Sequence, residues 1–500
     1  MSFFANVKKS EPVIAFLPIG GCLDICTGAI VEGHRGEMIV NGGFAPMMGV
    51  VGKPHMFKST VAKSILYQAF VKVLNTIKAS LLMYDTEITV VEEHQREMFE
   101  FIINNYSEFR QFFYEEGVLM DLIGNDTIVF TNKNQYKGEE YNELLKKLLR
   151  AKDPDTKRSR DDTDVPKGMA MIETPFKDRE GKPFKMFPPT GGDVDSITEF
   201  TTTADEETQD GHELGDKGAN PAFMTMGLNR QRFLMSLPGL LSTYSHYVVM
   251  TAQVGKEIVM QTGPTPVAPG KQLSAMKNGD VLKGTSSKFV SLANVCWQTL
   301  KTAHCGMSHK VEDGPRYPLF ETKGNKFDND LFEIELLNIR NKNGPTGFTI
   351  TILVSQSKGF LPDLTEFHHA RTHDWGFGGN QINYFLQLMP DLPLTRTTIR
   401  KKLPVTPGLQ RAVNITSELL QMKQFKPSYW QDYGVEVEEL YTNMTKLGFS
   451  WEEILTKTRG WYSPDVNHPI PHLSIVDLLR MNKEGYIPHW MDPVTKRIKA

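Results

Sequence analysis

Lys58-Ser59-Thr60 is the triplet in this chain best suited to chemistry: an ammonium beside two hydroxyls, at the end of a loop that opens with a glycine. The full run, Gly52-Lys53-Pro54-His55-Met56-Phe57-Lys58-Ser59-Thr60, follows the phosphate-binding pattern G-x-x-x-x-G-K-[ST] except at Phe57, where the second glycine should stand. A phenylalanine is strained in the left-handed backbone conformation that glycine adopts freely, so the loop's shape is the open point. The rest suits ATP with magnesium: amides at a helix start face an anion, the lysine adds a point charge, and the Ser59 hydroxyl can bind the metal. Acids that could serve the same site occur twice. Asp85-Thr86-Glu87 closes an apolar run, and a carboxylate there can orient or deprotonate an attacking water, solvated loop acids being the plainer account. Asp193-Val194-Asp195-Ser196 offers a second acid for the magnesium water shell. Pro188, Pro189, Gly191 and Gly192 interrupt the strand that should precede it, so the register between Asp193 and Asp195 stays open.

The elements that must position these residues show in the apolar pattern. Met48-Gly49-Val50-Val51 predicts a strand before the loop, and Ala62, Ile65, Leu66, Ala69 and Val73 predict an amphipathic helix after it. Strands are expected at 80–84, 127–131 and 247–252, the last ending at Gln253, with helices over 94–117, 139–151 and 228–243 between them. Strands alternating with helices imply a parallel sheet. A hairpin is expected over 174–188 around Glu180-Gly181-Lys182, and alternating strands at 332–339 and 348–354, split by Asn343-Gly344-Pro345, turn the sheet's edge antiparallel. Charged residues 153–167 predict a surface insertion, and residues 201–220 a loop. Residues 254–287 lack periodicity and carry Lys256, Lys271, Lys277 and Lys283, which suits contact with nucleic-acid phosphates as well as plain solvation.

Composition excludes several classes. A formal net charge of -3 gives no global attraction to nucleic acid or anionic membranes, so any DNA contact must come from a local patch. Four cysteines in 500 residues cannot form a disulfide framework, which suits a reducing compartment. Cys22 and Cys26 are read as small buried residues in preference to a zinc pair, and the His368, His369 and His373 group lacks ligand spacing. Without an apolar run of about 18 residues or a signal peptide, the expected location is the cytoplasm, with no membrane partner.

In this order the motifs resemble the RecA recombinase family, most closely its bacteriophage UvsX-like branch. That branch carries phenylalanine at the second glycine, as at Phe57-Lys58-Ser59. Tyr84-Asp85-Thr86-Glu87 is similar to its Tyr-Asp-Ser-Glu, which implies Glu87 as the catalytic carboxylate and Asp85 as its support at the nucleotide. Asp195-Ser196 matches the family's magnesium-associated pair, so Ser59 and Asp195 are the implied metal residues. Gln253 falls where the family has a γ-phosphate-sensing glutamine. Gly284-Thr285-Ser286-Ser287-Lys288-Phe289 resembles the close of the second DNA-binding loop, which adds Lys288 to the DNA-contacting lysines. Arg340-Asn341-Lys342 resembles the Lys-Asn-Lys that reaches a neighbouring subunit's nucleotide, so Arg340 and Lys342 join Lys58 and Glu87 as implied catalytic residues. The resemblance spans residues 37–365, apart from an insertion near 151–190. It implies an α/β RecA-like P-loop ATPase core, a mostly parallel sheet with antiparallel edge strands, between an N-terminal segment (1–36) and a small mainly helical C-terminal domain (366–500).

The implied function is an ATP-dependent, DNA-binding recombinase, phage-encoded and acting in the host cytoplasm. It would exchange strands on single-stranded and possibly double-stranded DNA during recombination and repair, as a homo-oligomeric filament. A ring-forming helicase motor on the same fold and a regulatory ATPase with protein partners alone are the competing expectations. In the C-terminal part, Arg400-Lys401-Lys402 is read as a solvated basic cluster, and residues 413–423 and 435–456 as helical.

Overall fold

The computed structural model describes residues 13–74, 79–106, 109, 127–153, 168–210, 220–256, 273–277, 279–285, 288–306, 316–319 and 328–499. A ten-stranded sheet organises the chain. Its strands, numbered in chain order, are β1 (Met47–Gly52), β2 (Leu81–Asp85), β3 (Ile128–Asn132), β4 (Thr190–Asp195), β5 (His246–Lys256), β6 (Asp280–Leu282), β7 (Val295–His304), β8 (Leu331–Asn341), β9 (Thr349–Ser355) and β10 (Gly359–Phe360). The spatial order is β10-β9-β8-β7-β1-β5-β4-β2-β3, with β6 paired to β5. From β3 through β7 every pairing is parallel, whereas β7 to β10 and β5–β6 are antiparallel. The chain is thus α/β with a large, mostly parallel mixed sheet. Strand β1 is buried at all six positions, as expected for a parallel strand covered on both faces and written as an unbroken apolar run.

The helix after the loop, Lys58–Leu74, is buried along nearly its whole circumference rather than amphipathic. Its polar residues are instead tied inside: Lys72 Nζ donates to Ile19 O at 2.6 Å and Gln68 Nε2 to Phe360 O at 3.3 Å. The N-terminal residues supply the cover, since Phe16, Leu17 and Ile19 pack into the same core as Ile65, Leu66 and Phe70. The Glu92–Asn105 helix is shorter than the expected 94–117, whose end lies outside the described residues. On Gly138–Ala151, Tyr141, Leu145 and Leu149 are buried at helical spacing, each large apolar side chain contributing roughly 1.5–3 kcal/mol, while Leu148 is exposed.

The hairpin forms as Ile172–Lys177 against Pro183–Met186. The adjoining 154–167 stretch lies outside the described residues. Two expected loops contain regular structure. Residues 203–210 form a helix, and β5 runs on through Lys256 to meet β6, so the lysine-bearing segment begins and ends as a two-stranded extension. The expected boundary at 365/366 falls inside the Pro362–Thr372 helix, whose Leu364 and Phe367 pack with the C-terminal residues. That C-terminal part gathers around the Leu409–Phe425 helix, with a three-stranded sheet (Phe377–Gly379, Tyr384–Leu386, Met389–Leu394) and four further helices after it. Ser450 and Ser474 cap two of these helices by accepting from Glu453 N and Asp477 N. Arg400 is not a solvated cation: its residue is half-buried and its guanidinium is bonded to Asp328 at 2.7 Å.

Candidate phosphate-binding and acid site

The site residues converge at the carboxyl ends of β1, β5, β4 and β2, the edge at which open α/β sheets bind ligands. Register fixes them: Gly52 lies beside Gln253 on one side and Thr299 on the other, and Asp85 pairs with Asp195. Gly52 is required here, because a Cβ would stand 1.9 Å from Thr299 Oγ1. Phe57 takes the left-handed conformation after all, at φ +56, and His55 does so at φ +60. The cost of about 1–2 kcal/mol for a non-glycine residue there is opposed by ring packing, with the Phe57 and Phe332 centroids 4.7 Å apart at 43°. The first in-register helical bond runs from Val61 N to Phe57 O, so the amides of Lys58, Ser59 and Thr60 belong to the open first turn. Lys58 Nζ donates to Lys53 O at 3.2 Å. Burial lowers the Lys58 pKa, against the upward pull of Asp195 and Glu87.

Asp195 is the acid at the centre. Its Oδ1 accepts from Ser59 Oγ at 3.1 Å and Thr251 Oγ1 at 2.5 Å, and its Oδ2 from Lys63 Nζ. Burial favours the protonated acid, but Lys63 and these hydrogen bonds prevail and hold the carboxyl below the usual aspartate value. Of the two acids Asp195 meets Ser59, whereas Asp193 points back, accepting Tyr84 N at 3.1 Å, and burial pushes its pKa up to about 6. Strand β4 exists despite its glycines because they are needed. A Cβ at Gly191 would come within 2.5 Å of the Phe70 ring, and one at Gly192 within 2.2 Å of Leu82 O.

Glu87 and Asp85 divide differently from expectation. Both Asp85 oxygens are occupied by the following loop, Oδ1 by the amides of Glu87 (2.9 Å) and Ile88 (2.8 Å), Oδ2 by those of Thr89 (2.6 Å) and Val90 (2.7 Å). It therefore acts as a cap that shapes the Glu87 loop, with no oxygen left over for a nucleotide. Glu87 is exposed and accepts from Ser196 Oγ at 3.1 Å. Thr86 fastens the two strand ends, its N donating to Asp195 O at 2.9 Å and its hydroxyl to Ser196 O at 2.8 Å.

Gln253 lies level with Gly52, and its backbone joins two elements: its N donates to Thr198 Oγ1 at 3.1 Å and its O accepts from Lys283 N at 2.8 Å. Of the lysines, Lys277, Lys283 and Lys288 are exposed and Lys271 lies outside the described residues. Lys256, its side chain still 58% exposed, is ion-paired with the buried Asp280 at 2.5 Å, and Gln298 donates to the same carboxylate at 2.9 Å. Arg340 and Lys342 stand apart from the loop. Arg340 pairs with Cys296, which is level with Gly49, and Lys342 N bonds Asn294 O, level with the start of β1. The start of β1 is five residues of strand, roughly 16 Å, from Gly52, so Lys342 cannot serve its own chain's loop.

A hydroxyl beside a carboxylate is a hard-oxygen pair of the kind magnesium takes together with substrate phosphates and water, so Ser59 and Asp195 fit that ion. Among the described residues no group of three or more His, Cys, Asp or Glu side chains is placed to cage a metal. His369 and His373 bond to Gln424 and to backbone, and Cys22 and Cys26 are free and buried. No helix among the described residues is long and apolar enough to cross a membrane. Thr251 and Lys63 were not singled out in the sequence, and only Lys63 carries a signal there, as a lysine four residues after Ser59 on the same helix; Ser196 was read as half of the Asp-Ser pair, without its bond to Glu87. The fold and the site define an α/β protein with a phosphate-loop-like strand–loop–helix on a central strand of a mostly parallel sheet. No protein-family model matches the chain, and no curated protein matches it.

Proposed function

We propose that this chain is an ATP-dependent DNA-binding recombinase of RecA type. The observation that supports it most is the convergence of Lys58, Ser59, Asp195, Glu87 and Gln253 at adjacent strand ends, each with a distinct chemical capacity. In this reading the loop amides and Lys58 hold the phosphates of ATP, and Ser59 with Asp195 would hold magnesium, which would supply neutralisation of phosphate charge. Glu87, steadied by Ser196, orients water toward the γ-phosphate; the loop capped by Asp85 keeps it there. Arg340 and Lys342 act in trans on a neighbouring copy's nucleotide, since they lie too far along the sheet to act in cis.

Gln253 couples nucleotide to DNA through Lys283, because it stands level with Gly52 at the loop's end of the sheet while its carbonyl holds the lysine-bearing segment. The deciding experiment is electron microscopy of the full chain with ATP, magnesium and single-stranded DNA. Open helical filaments are expected. Closed rings would favour a motor on the same fold, and no DNA-dependent assembly would favour a regulatory ATPase.

A further inference from the structure

Lys63 does something that the phosphate loop alone does not require. It lies one helical turn beyond Ser59 and is 4% exposed. Its ammonium contacts Asp195 Oδ2 and lies 3.4 Å from Asp193 Oδ2. The remaining oxygen of each acid is used elsewhere, Asp195 Oδ1 by Ser59 and Thr251, and Asp193 Oδ1 by the Tyr84 amide. Lys63 thus holds one oxygen of Asp195, and the other is shared between the Thr251 hydroxyl and the Ser59 hydroxyl at the loop. A buried ammonium is costly unless paired, and here the pairing fixes the rotation of a carboxylate at the candidate metal position.

We infer that Lys63 is a positioning residue that limits Asp195 to one oxygen facing Ser59, and thereby selects magnesium over larger divalent cations at the nucleotide. The inference rests on the nucleotide-binding reading above. Magnesium demands close, near-octahedral coordination and keeps much of its water, which a single carboxylate oxygen accommodates. Calcium takes more oxygens in looser geometry and accepts both oxygens of one carboxylate. Without Lys63 the second oxygen of Asp195 is no longer held back, so it can join the first at the metal, and the preference for magnesium weakens.

The test measures equilibrium binding of a non-hydrolysable ATP analogue to the full chain by calorimetry, in EDTA, in magnesium and in calcium. Wild type, Lys63→Met, Asp193→Asn and the Lys63→Met/Asp193→Asn pair are compared. In Lys63→Met the ratio of half-saturating calcium to half-saturating magnesium falls by about 10-fold or more, the scale of outer-shell effects on metal affinity. Metal-free affinity stays at the wild-type value, because the loop amides and Lys58 are untouched. Asp193→Asn keeps the Lys63–Asp195 ion pair and the wild-type ratio. The paired variant removes one acid along with the cation, so it avoids leaving two buried acids uncompensated and carries the same shift if Lys63→Met alone does not fold. An unchanged ratio in the folded Lys63 variants overturns this inference and leaves the nucleotide reading standing. A wild-type chain that binds no nucleotide overturns both.

Discussion

The side chains at the candidate site differ in where their partners come from, Lys58 and Asp85 being bonded within their own loops and Asp195 across strands and helix, and this decides which single substitutions are informative. Lys58 makes one bond, to Lys53 O, so Lys58→Ala should leave the thermal midpoint unchanged while abolishing ATP binding in a calorimetric titration. Glu87→Gln should keep nucleotide affinity and lower turnover by about 10²–10⁴, the usual contribution of a positioned general base. Asp85→Asn should behave otherwise. An asparagine offers one acceptor oxygen where the loop presents four amides, so the cap fails at a cost of about 1–3 kcal/mol, visible as a lower denaturation midpoint. If Asp85→Asn kept wild-type stability while losing turnover, the division between cap and base would be reversed. Lys58, Ser59, Asp195 and Glu87 were legible because motifs are written along the chain. Thr251 was not, nor was the bond of Ser196 to Glu87, because both come from strand register, and the left-handed Phe57 is tolerated through a ring, Phe332, that lies 275 positions away in the sequence.

Alternation of strand and helix predicted the parallel sheet, and the antiparallel pair at its edge followed from period-two patterns on either side of an Asn-Gly-Pro turn. Propensity failed where packing overrides it. Strand β4 begins Thr190-Gly191-Gly192 since Phe70 and the Leu82 carbonyl leave no room for a side chain, a constraint invisible in a local window. The same limit applies to the lysine-bearing segment. Its charges looked alike in sequence, yet Lys256 sits on β5 opposite Asp280, whereas Lys277, Lys283 and Lys288 face solvent. Two kinds of variant should therefore separate. Lys256→Ala strands the buried Asp280 carboxylate and should cost about 1–3 kcal/mol in denaturant titration, without changing the salt dependence of DNA binding. Lys277→Ala, Lys283→Ala and Lys288→Ala together should leave stability within about 0.5 kcal/mol, as for other surface changes. They should flatten the log-log salt slope by roughly 0.7 for each phosphate of a single strand that is no longer neutralised. Unchanged affinity and slope in the triple variant would move DNA binding to another surface.

At the scale of the whole molecule, the N-terminal segment, the sheet's covering helix and the C-terminal part meet around a cavity of about 260 Å³ lined with charge. Glu366 is at its heart: Oε1 accepts from Gly21 N at 2.9 Å, and Asn414 approaches both oxygens. Asp363 stands on the same helix, Glu418 and Arg411 face it from the Leu409–Phe425 helix, Asp24 and Cys22 from the N-terminal turn, Lys72 from the helix under the sheet, and Arg459 from the following loop. Burial first, then Asp363 and Glu418, push the Glu366 pKa up to about 8, and burial brings Glu418 to about 7. Both folded values lie above the ordinary glutamate value, so the folded chain holds protons that the unfolded chain releases. The stability tied to them is full at pH below the ordinary value and is lost as pH rises toward 8. Wild type should therefore lose on the order of a few kcal/mol between pH 6 and pH 8.5 at this seam, read from denaturant midpoints across that range. Glu366→Gln keeps an acceptor for Gly21 N and carries no charge, so it should flatten the profile and be the more stable protein at pH 8.5. Parallel profiles for the two proteins would show that Glu366 does not change its proton across this window and that the seam is held by its packing alone.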